Sequence, residues 1–285
     1  MPQTVTVQTL LSDALKRLMP ISSTPQLDAS LLLSHALGIS RAKLFALPPN
    51  RTLTKREHQC FRKLLKKRLK GYPIAYLTGS REFYGRSFVV KKGVLIPRPD
   101  SEVLIEELLK LYKTYTISSL RDIGTGSGAL ALTLYCETQG KIDITASDIS
   151  RRARHVFKIN NRRLTGGKVA FKKASLLDDG GHYTAIVANL PYLTSREVRE
   201  RRHWKEPLLA LDGGKDGLGL IRKLTEQAGD KTEMLMLEAD PRQMPAIEKL
   251  LQANGFCQIR TVPDLSGEPR IIIGFSQLAK TLPLL

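Results

Sequence analysis

With 285 residues, the chain is long enough to bury a full core and to divide into two domains. Its 45 Lys and Arg outnumber 27 Asp and Glu, a formal charge of +18 that either suits a nucleic-acid or ribonucleoprotein neighbourhood or only keeps the surface soluble. Three scattered cysteines exclude a disulfide framework and a C-x-x-C zinc site, and without a long apolar run or a signal-like start no membrane partner is expected, only a reducing, cytoplasmic setting.

The charge is concentrated early: residues 1–100 hold 18 Lys and Arg against 5 Asp and Glu. In the same stretch the apolar residues fall at helical spacing. Leu10, Leu11, Ala14, Leu15 and Leu18 form one stripe of a helix over residues 8–19. Thr24 followed by Pro25 opens a second helix, which Gly38 ends, and a short helix follows Ser40. Thr54 and Glu57 have the spacing of a capping box, at the start of a helix predicted to run to Lys70 with Gly71 past its end. Phe61, Leu64, Leu65 and Leu69 share its apolar face, and Lys55, Arg56, Arg62, Lys63, Lys66, Lys67, Arg68 and Lys70 make the other face basic. Residues 1–72 are therefore expected to form a small amino-terminal helical domain. Over residues 73–98, alternating Phe83, Phe88 and Val90 between turns at Gly79, Gly85 and Gly93 predict a β-hairpin that links two domains.

Pro97-Arg98-Pro99 is a rigid turn leading into a helix that buries Val103, Leu104, Leu108 and Leu111. Strands are expected near 118–123, 142–147, 168–173, 185–189, 233–238, 257–262 and 270–275, with helices near 150–164, 216–228 and 242–254. That alternation predicts an α/β domain over residues 99–285 with a Rossmann-like, doubly wound, mostly parallel seven-stranded sheet. The five histidines, at 35, 58, 155, 182 and 203, have no metal-ligand spacing, so no metal is expected.

Two stretches of this domain carry chemistry. Arg121-Asp122-Ile123 runs into Gly124-Thr125-Gly126-Ser127-Gly128, and Leu130 and Leu134 continue at helical spacing, the order strand, glycine turn, helix. Gly124 and Gly126 allow positive φ and close approach of a ligand to the backbone, and Gly128 allows tight packing of the helix on the sheet. Twenty residues later a second strand ends at Asp148, an acid placed to bind both hydroxyls of a ribose. A nucleoside-containing cofactor fits this spacing; an ordinary dinucleotide fold or a ligand-free turn would also produce a glycine cluster. The pattern G-x-G-x-G is similar to the S-adenosylmethionine cradle of class I methyltransferases.

The second stretch is Asn189-Leu190-Pro191-Tyr192, just past the buried strand 185–188 and at its carboxyl end, where open α/β sheets hold ligands. The side-chain oxygen of Asn189 and the following backbone carbonyl can each accept one N–H of an NH2 group, orienting that nitrogen, while the Tyr192 ring packs on the planar group. A turn in which Asn and Pro serve conformation alone is the competing reading.

Together with Pro73-Ile74-Ala75-Tyr76-Leu77, Phe83-Tyr84-Gly85, Leu95-Ile96-Pro97-Arg98-Pro99, Glu206-Pro207, Ala210-Leu211-Asp212-Gly213-Gly214-x-Asp216-Gly217 and Asp264-Leu265-Ser266-Gly267-x-x-Arg270, these motifs make the chain resemble the HemK/PrmC-type glutamine methyltransferases over nearly its whole length. The resemblance implies a helical substrate-docking domain, a hairpin and a class I methyltransferase domain. It implies that Gly124, Thr125, Gly126, Ser127, Gly128 and Asp148 bind S-adenosylmethionine, with Ser175 and Leu176 beside the adenine. Asn189, Leu190, Pro191 and Tyr192 would hold the substrate amide, Asn189 also meeting the cofactor, and the substrate would be the glutamine of the Gly-Gly-Gln motif of a peptide chain release factor. Proximity to the ribosome or RNA would fall to the basic amino-terminal domain.

Two positions depart from the family pattern: Leu190 stands where N-P-P-Y has proline, and Asp240 stands at the glycine of E-x-G-x-x-Q, here Glu238 to Gln243. The first is expected to be tolerated because the site needs only the carbonyl of residue 190. N-L-P-Y also resembles the rRNA adenine N-methyltransferases, the alternative function, although those enzymes carry their helical domain after the cradle.

Overall fold

The computed structural model describes residues 5–178, 180–200 and 205–279; His203 lies outside them. The described residues form two compact units, one of residues 5–80 with Lys205 and the other of residues 81–178, 180–200 and 206–279.

The first unit contains α1 (Val7–Leu18), α2 (Pro25–Leu37), α3 (Arg41–Phe45), α4 (Lys55–Arg68) and α5 (Ile74–Thr78). Its helix starts are those the capping residues dictate: Thr54 accepts from the Glu57 N–H while Glu57 accepts from the Thr54 N–H, and Gly38 closes α2 at φ 67°. Leu10, Ala14, Leu18, Leu32, Leu33, Phe61 and Leu65 make its core. Arg68 is not part of the free basic face expected of α4. Its Nε lies 2.7 Å from the buried Asp28 carboxylate, an ion pair turned inward. The segment expected to be extended before Gly79 is instead α5, because Ile74 and Leu77 are one helical turn apart and both pack on the helical core. The hairpin is accordingly shorter, β1 (Ser80–Phe83) and β2 (Arg86–Val89), with Tyr84 and Gly85 both at positive φ in the turn.

The second unit continues with α6 (Glu102–Thr114), β3 (Ser119–Ile123), α7 (Ala129–Glu137), β4 (Asp143–Ser147), α8 (Arg151–Thr165), β5 (Ala170–Lys172), β6 (Tyr183–Ala188), α9 (Ser195–Glu200), α10 (Gly219–Ala228), β7 (Thr232–Glu238), α11 (Met244–Ala253), β8 (Phe256–Pro263) and β9 (Pro269–Ser276). Seven strands form one sheet in the order β5-β4-β3-β6-β7-β9-β8; β9 runs antiparallel to both neighbours and the other pairs are parallel. This is the mostly parallel seven-stranded sheet that the alternation of strands and helices predicted. The chain order reverses beside β3, so the crevice at the carboxyl ends of β3, β4 and β6 is the topological switch point where such sheets bind ligands. Helix α10 begins at Gly219, later than expected, because Asp216 takes the Leu218 N–H and Gly217 adopts φ 76°, a turn that helical backbone cannot make. Helix α9 was not foreseen; it has one buried apolar residue, Val198, and too short a stripe to register as a period.

Candidate active site

Strand register assembles the site. Ile123 pairs with Ser147 on one side and Ala188 on the other, so the next residue of each strand, Asp148, Gly124 and Asn189, lies in a row across the switch point. Residues 24 and 65 positions from Gly124 in the chain come to it there because parallel strands end together.

The glycine turn is braced from beneath. Asp122, fully buried, accepts from the Thr125 hydroxyl at 2.6 Å and the Ala131 N–H at 3.1 Å, which joins the end of β3 to both the turn and α7. Burial pushes its pKa up to about 6. Thr125 donates its N–H to the Ser147 carbonyl, and the Ser127 carbonyl accepts from Asn160 of α8. Gly128 has a different task from the packing on the sheet that was expected. A Cβ there would come within 2.8 Å of Phe157 and 2.7 Å of Leu132, so its absence lets α8 and the side chains of α7 close over the turn. Gly126 donates its N–H to one Asp148 oxygen at 3.0 Å, and Ser150 donates to the other at 2.8 Å. Burial raises the Asp148 pKa from the ordinary carboxylate range.

Two hollows meet at this row. The larger is lined by Gly124, Gly126, Asp148, Ser175, Leu176 and Asn189 among others, under a rim from Pro207 to Ala210. The smaller is lined by Phe83, Arg98, Ser101, Thr125, Ser127 and Asn189 among others. Leu95, Gly124, Gly126 and Asn189 line both, so Asn189 stands on the wall between them. Gly128 lines neither. Leu176 holds φ 50° at the floor of the larger hollow, a left-handed conformation uncommon for a branched residue.

Around Asn189 the motifs acquire separate tasks. Its Nδ2 donates to the Ser101 hydroxyl at 3.0 Å, which directs its Oδ1 away from that contact. Leu190 is buried, and its Cδ2 lies 3.2 Å from the place a Cβ on Gly124 would occupy, so the side chain is part of the wall and not a bystander to its carbonyl. Tyr192 is half-buried and lines neither hollow; it packs beside Leu193, Val198 and Leu211. Burial pushes its phenol up to about 12, which keeps it neutral. Its carbonyl accepts from Gln243 Nε2 at 2.9 Å.

The strap from Leu211 to Gly217 lies directly on the Asn189–Tyr192 loop. Leu193 donates to the Leu211 carbonyl and accepts from the Gly213 N–H, and a Cβ on Gly213 or Gly217 would fall 2.5 Å from the Pro191 carbonyl or 2.2 Å from the Tyr192 carbonyl. Arg98 is ion-paired with Glu206, whose other oxygen accepts from the Ile96 N–H, so the rim around Pro207 is tied to the segment lining the smaller hollow. Asp240, the second departure, sits at φ −70°, where a side chain costs nothing. It caps the following turn, accepting from the Arg242 N–H while Gln243 accepts from the Asp240 N–H. Ser101 and Glu238 were not among the expected site residues, although Glu238 begins the E-x-G-x-x-Q pattern; their place in the fold brings them to Asn189.

Among known proteins, the family model described as the PrmC N-terminal domain matches residues 9–79. The chain is 34% identical over 280 residues to the release factor glutamine methyltransferase of Koribacter versatilis, covering 95% of this chain and 98% of that protein. It is 35% identical to that of Coxiella burnetii over 263 residues (90% and 94%), and 33% identical to that of Bacillus subtilis over 260 residues (86% and 89%). A solved structure of the hMettl16 catalytic domain in complex with MAT2A 3'UTR hairpin 1 is similar with a TM-score of 0.58, 16% identity and coverage of 71% of this chain and 79% of that one, a likeness of fold alone.

Proposed function

Because the chain belongs to the release factor glutamine methyltransferase family, we propose that it methylates the side-chain amide nitrogen of the Gly-Gly-Gln glutamine of a peptide chain release factor, with S-adenosylmethionine as cofactor. The rRNA adenine reading is not favoured, since the relatives matched over nearly the whole chain carry the release-factor name. The observation that carries the proposal is Asn189 on the wall shared by the two hollows, in register with Gly124 and Asp148.

The larger hollow suits the cofactor. Gly124 and Gly126 present bare backbone at positive φ, Asp148 offers a carboxylate to a ribose, and Leu176 lies on the apolar floor near Ser175, where an adenine fits. When bound, S-adenosylmethionine supplies an electrophilic methyl group on a sulfonium. The smaller hollow, between Phe83 and Asn189, takes the glutamine side chain.

An amide nitrogen is a poor nucleophile, so the residues around it must act by orientation and polarisation. Asn189 Oδ1 and the carbonyl of Leu190 accept one N–H each. With both protons held in one plane, the nitrogen lone pair is turned toward the larger hollow. Partial withdrawal of the protons raises electron density on nitrogen, and the proton lost after transfer leaves to water without a dedicated base. Tyr192 supports the loop that carries these acceptors.

Asn189→Ala tests the reading. Cofactor affinity, measured by calorimetry, is expected to change less than about threefold while turnover falls about 100-fold or more, the loss typical of an orienting hydrogen bond. Near-normal turnover would reduce Asn189 to a turn residue.

A further inference from the structure

Ser101 and Glu238 form the innermost layer behind Asn189. Ser101 precedes α6, Glu238 ends β7, and both are buried. The Ser101 Oγ lies 2.5 Å from Glu238 Oε2 and 3.0 Å from Asn189 Nδ2. A hydroxyl carries one proton and a carboxylate accepts only. Toward ionised Glu238 the serine must therefore donate, and toward Asn189 it can only accept. The Asn189 amide is thereby oriented with its NH2 inward and its oxygen toward the substrate hollow.

We propose that Glu238 and Ser101 are positioning residues, a two-member chain of one-way hydrogen bonds that sets the rotational state of the Asn189 amide and so presents an acceptor, not a donor, to the substrate nitrogen. The inference rests on the methyltransferase reading above and deepens it. A protonated Glu238 reverses the chain. Its carboxyl proton goes to Ser101 Oγ, the serine proton becomes available to Asn189 Oδ1, and the amide turns over. An NH2 group then faces the NH2 of the substrate, two donors with no acceptor between them.

The surroundings of Glu238 set which direction prevails. Burial opposes its charge and so does Asp100, on the turn before α6; Ser101, Arg270 of β9 and Asn189 favour the charge. The neutral phenol of Tyr192 lies in the same neighbourhood. Arg270 is held in place by Asp264, which takes both its Nε and Nη2 while also bonding Ser266 and the Glu268 N–H in the turn between β8 and β9. The Asp264-Leu265-Ser266-Gly267-x-x-Arg270 motif thus serves to fix the cation that faces Glu238. The balance brings the Glu238 pKa to about 7.

The test compares wild type, Ser101→Ala and Glu238→Gln, each with a purified release factor and labelled S-adenosylmethionine, by measuring kcat and KM from pH 5.5 to 9 beside calorimetric cofactor binding. Wild-type kcat is expected to rise with pH along a limb whose midpoint lies at or below about 7, because a sulfonium in the adjoining hollow favours the carboxylate. Both variants should lose about tenfold or more in kcat. Both should lose that limb, and cofactor affinity should stay within about threefold. Variants that keep wild-type kcat together with its acid limb would overturn the proposal. Loss of cofactor binding and of cooperative melting in both would also overturn it, by making the pair structural. If wild type itself transfers no label to the release factor, the methyltransferase reading fails and the relay fails with it, an outcome distinct from the other two.

Discussion

Gly214 and Gly217 stand three residues apart, both at positive φ, yet only Gly217 touches the reacting loop. An alanine at either position incurs the strain of left-handed backbone, about 1–2 kcal/mol. At Gly214 nothing lies within 4 Å of the added carbon, whereas at Gly217 it meets the Tyr192 carbonyl at 2.2 Å. Gly214→Ala is therefore expected to lower Tm by a few degrees and keep turnover within about twofold. Gly217→Ala should lose turnover about tenfold or more, since small displacements of an orienting group are costly. Equal turnover in the two variants would mean that the strap does not set the loop. Leu190 is the converse case, a departure from pattern that has become part of the wall. Leu190→Pro keeps the carbonyl and the extended backbone that Pro191 already imposes, so methylation should continue within a few-fold. The buried Leu side chain is lost, however, and the small stabilisation that a stiffer unfolded chain would give is outweighed by a packing cost of about 1–2 kcal/mol. A higher Tm for this variant would show that the Leu190 packing contributes little.

Helix α4 carries Lys63, Lys66 and Lys67 exposed on one face, with Lys70 just beyond its end and Arg68 withdrawn into its pair with Asp28. If that face docks an acidic region of the release factor, changing Lys63, Lys66, Lys67 and Lys70 to Gln should raise KM for the release factor, flatten its salt dependence and leave cofactor affinity unmoved. Unchanged kinetics at low salt would leave the face merely solvated. Helix α1 with its stripe, α2 between Pro25 and Gly38, and α4 with its capping pair and apolar face were legible in sequence because local chemistry marks their ends or their buried face. The same holds for the seven strands, each a run bounded by turn residues. Of the helices of five or six residues, α5 and α9 escaped because they hold too few apolar positions for a period to show, while α3 was read from Ser40 ahead of it. The glycine turn, Asp148 and Asn189 were legible because each combines a local motif or spacing with a place just past a strand end. The pairing of Ser101 with Glu238 was not, because the contact between a turn before α6 and the end of β7 depends on sheet order; Glu238 showed only as the start of the E-x-G-x-x-Q pattern, which does not tell that it will be buried beside an asparagine.

Across the whole molecule, buried carboxylates near the switch point tie stability to pH in the direction opposite to surface ion pairs. Glu238 is raised from 4.5 to about 7 and Asp122 from 3.8 to about 6, both chiefly by burial. The folded state binds these protons more tightly than the unfolded chain does. Their contribution is thus fully present below the unfolded values and is lost as pH rises through about 6 to 7. For Glu238 that is on the order of 3 kcal/mol. The Tm of the cofactor-free protein should accordingly fall by several degrees between pH 5.5 and 8, and Glu238→Gln should flatten part of that fall; a Tm that rises over the same interval would show that Glu238 stays ionised throughout. The charge that destabilises the fold is the one Asn189 needs for its orientation, so stability and activity are expected to part at neutral pH. The central claim, a glutamine amide held by Asn189 beside a methyl donor, is tested most directly by offering the purified protein labelled S-adenosylmethionine with a release factor and bare ribosomal RNA together, then mapping the label by mass spectrometry. One methyl group on the amide nitrogen of the Gly-Gly-Gln glutamine, absent in Asn189→Ala, is the predicted result, and label on RNA alone would contradict it.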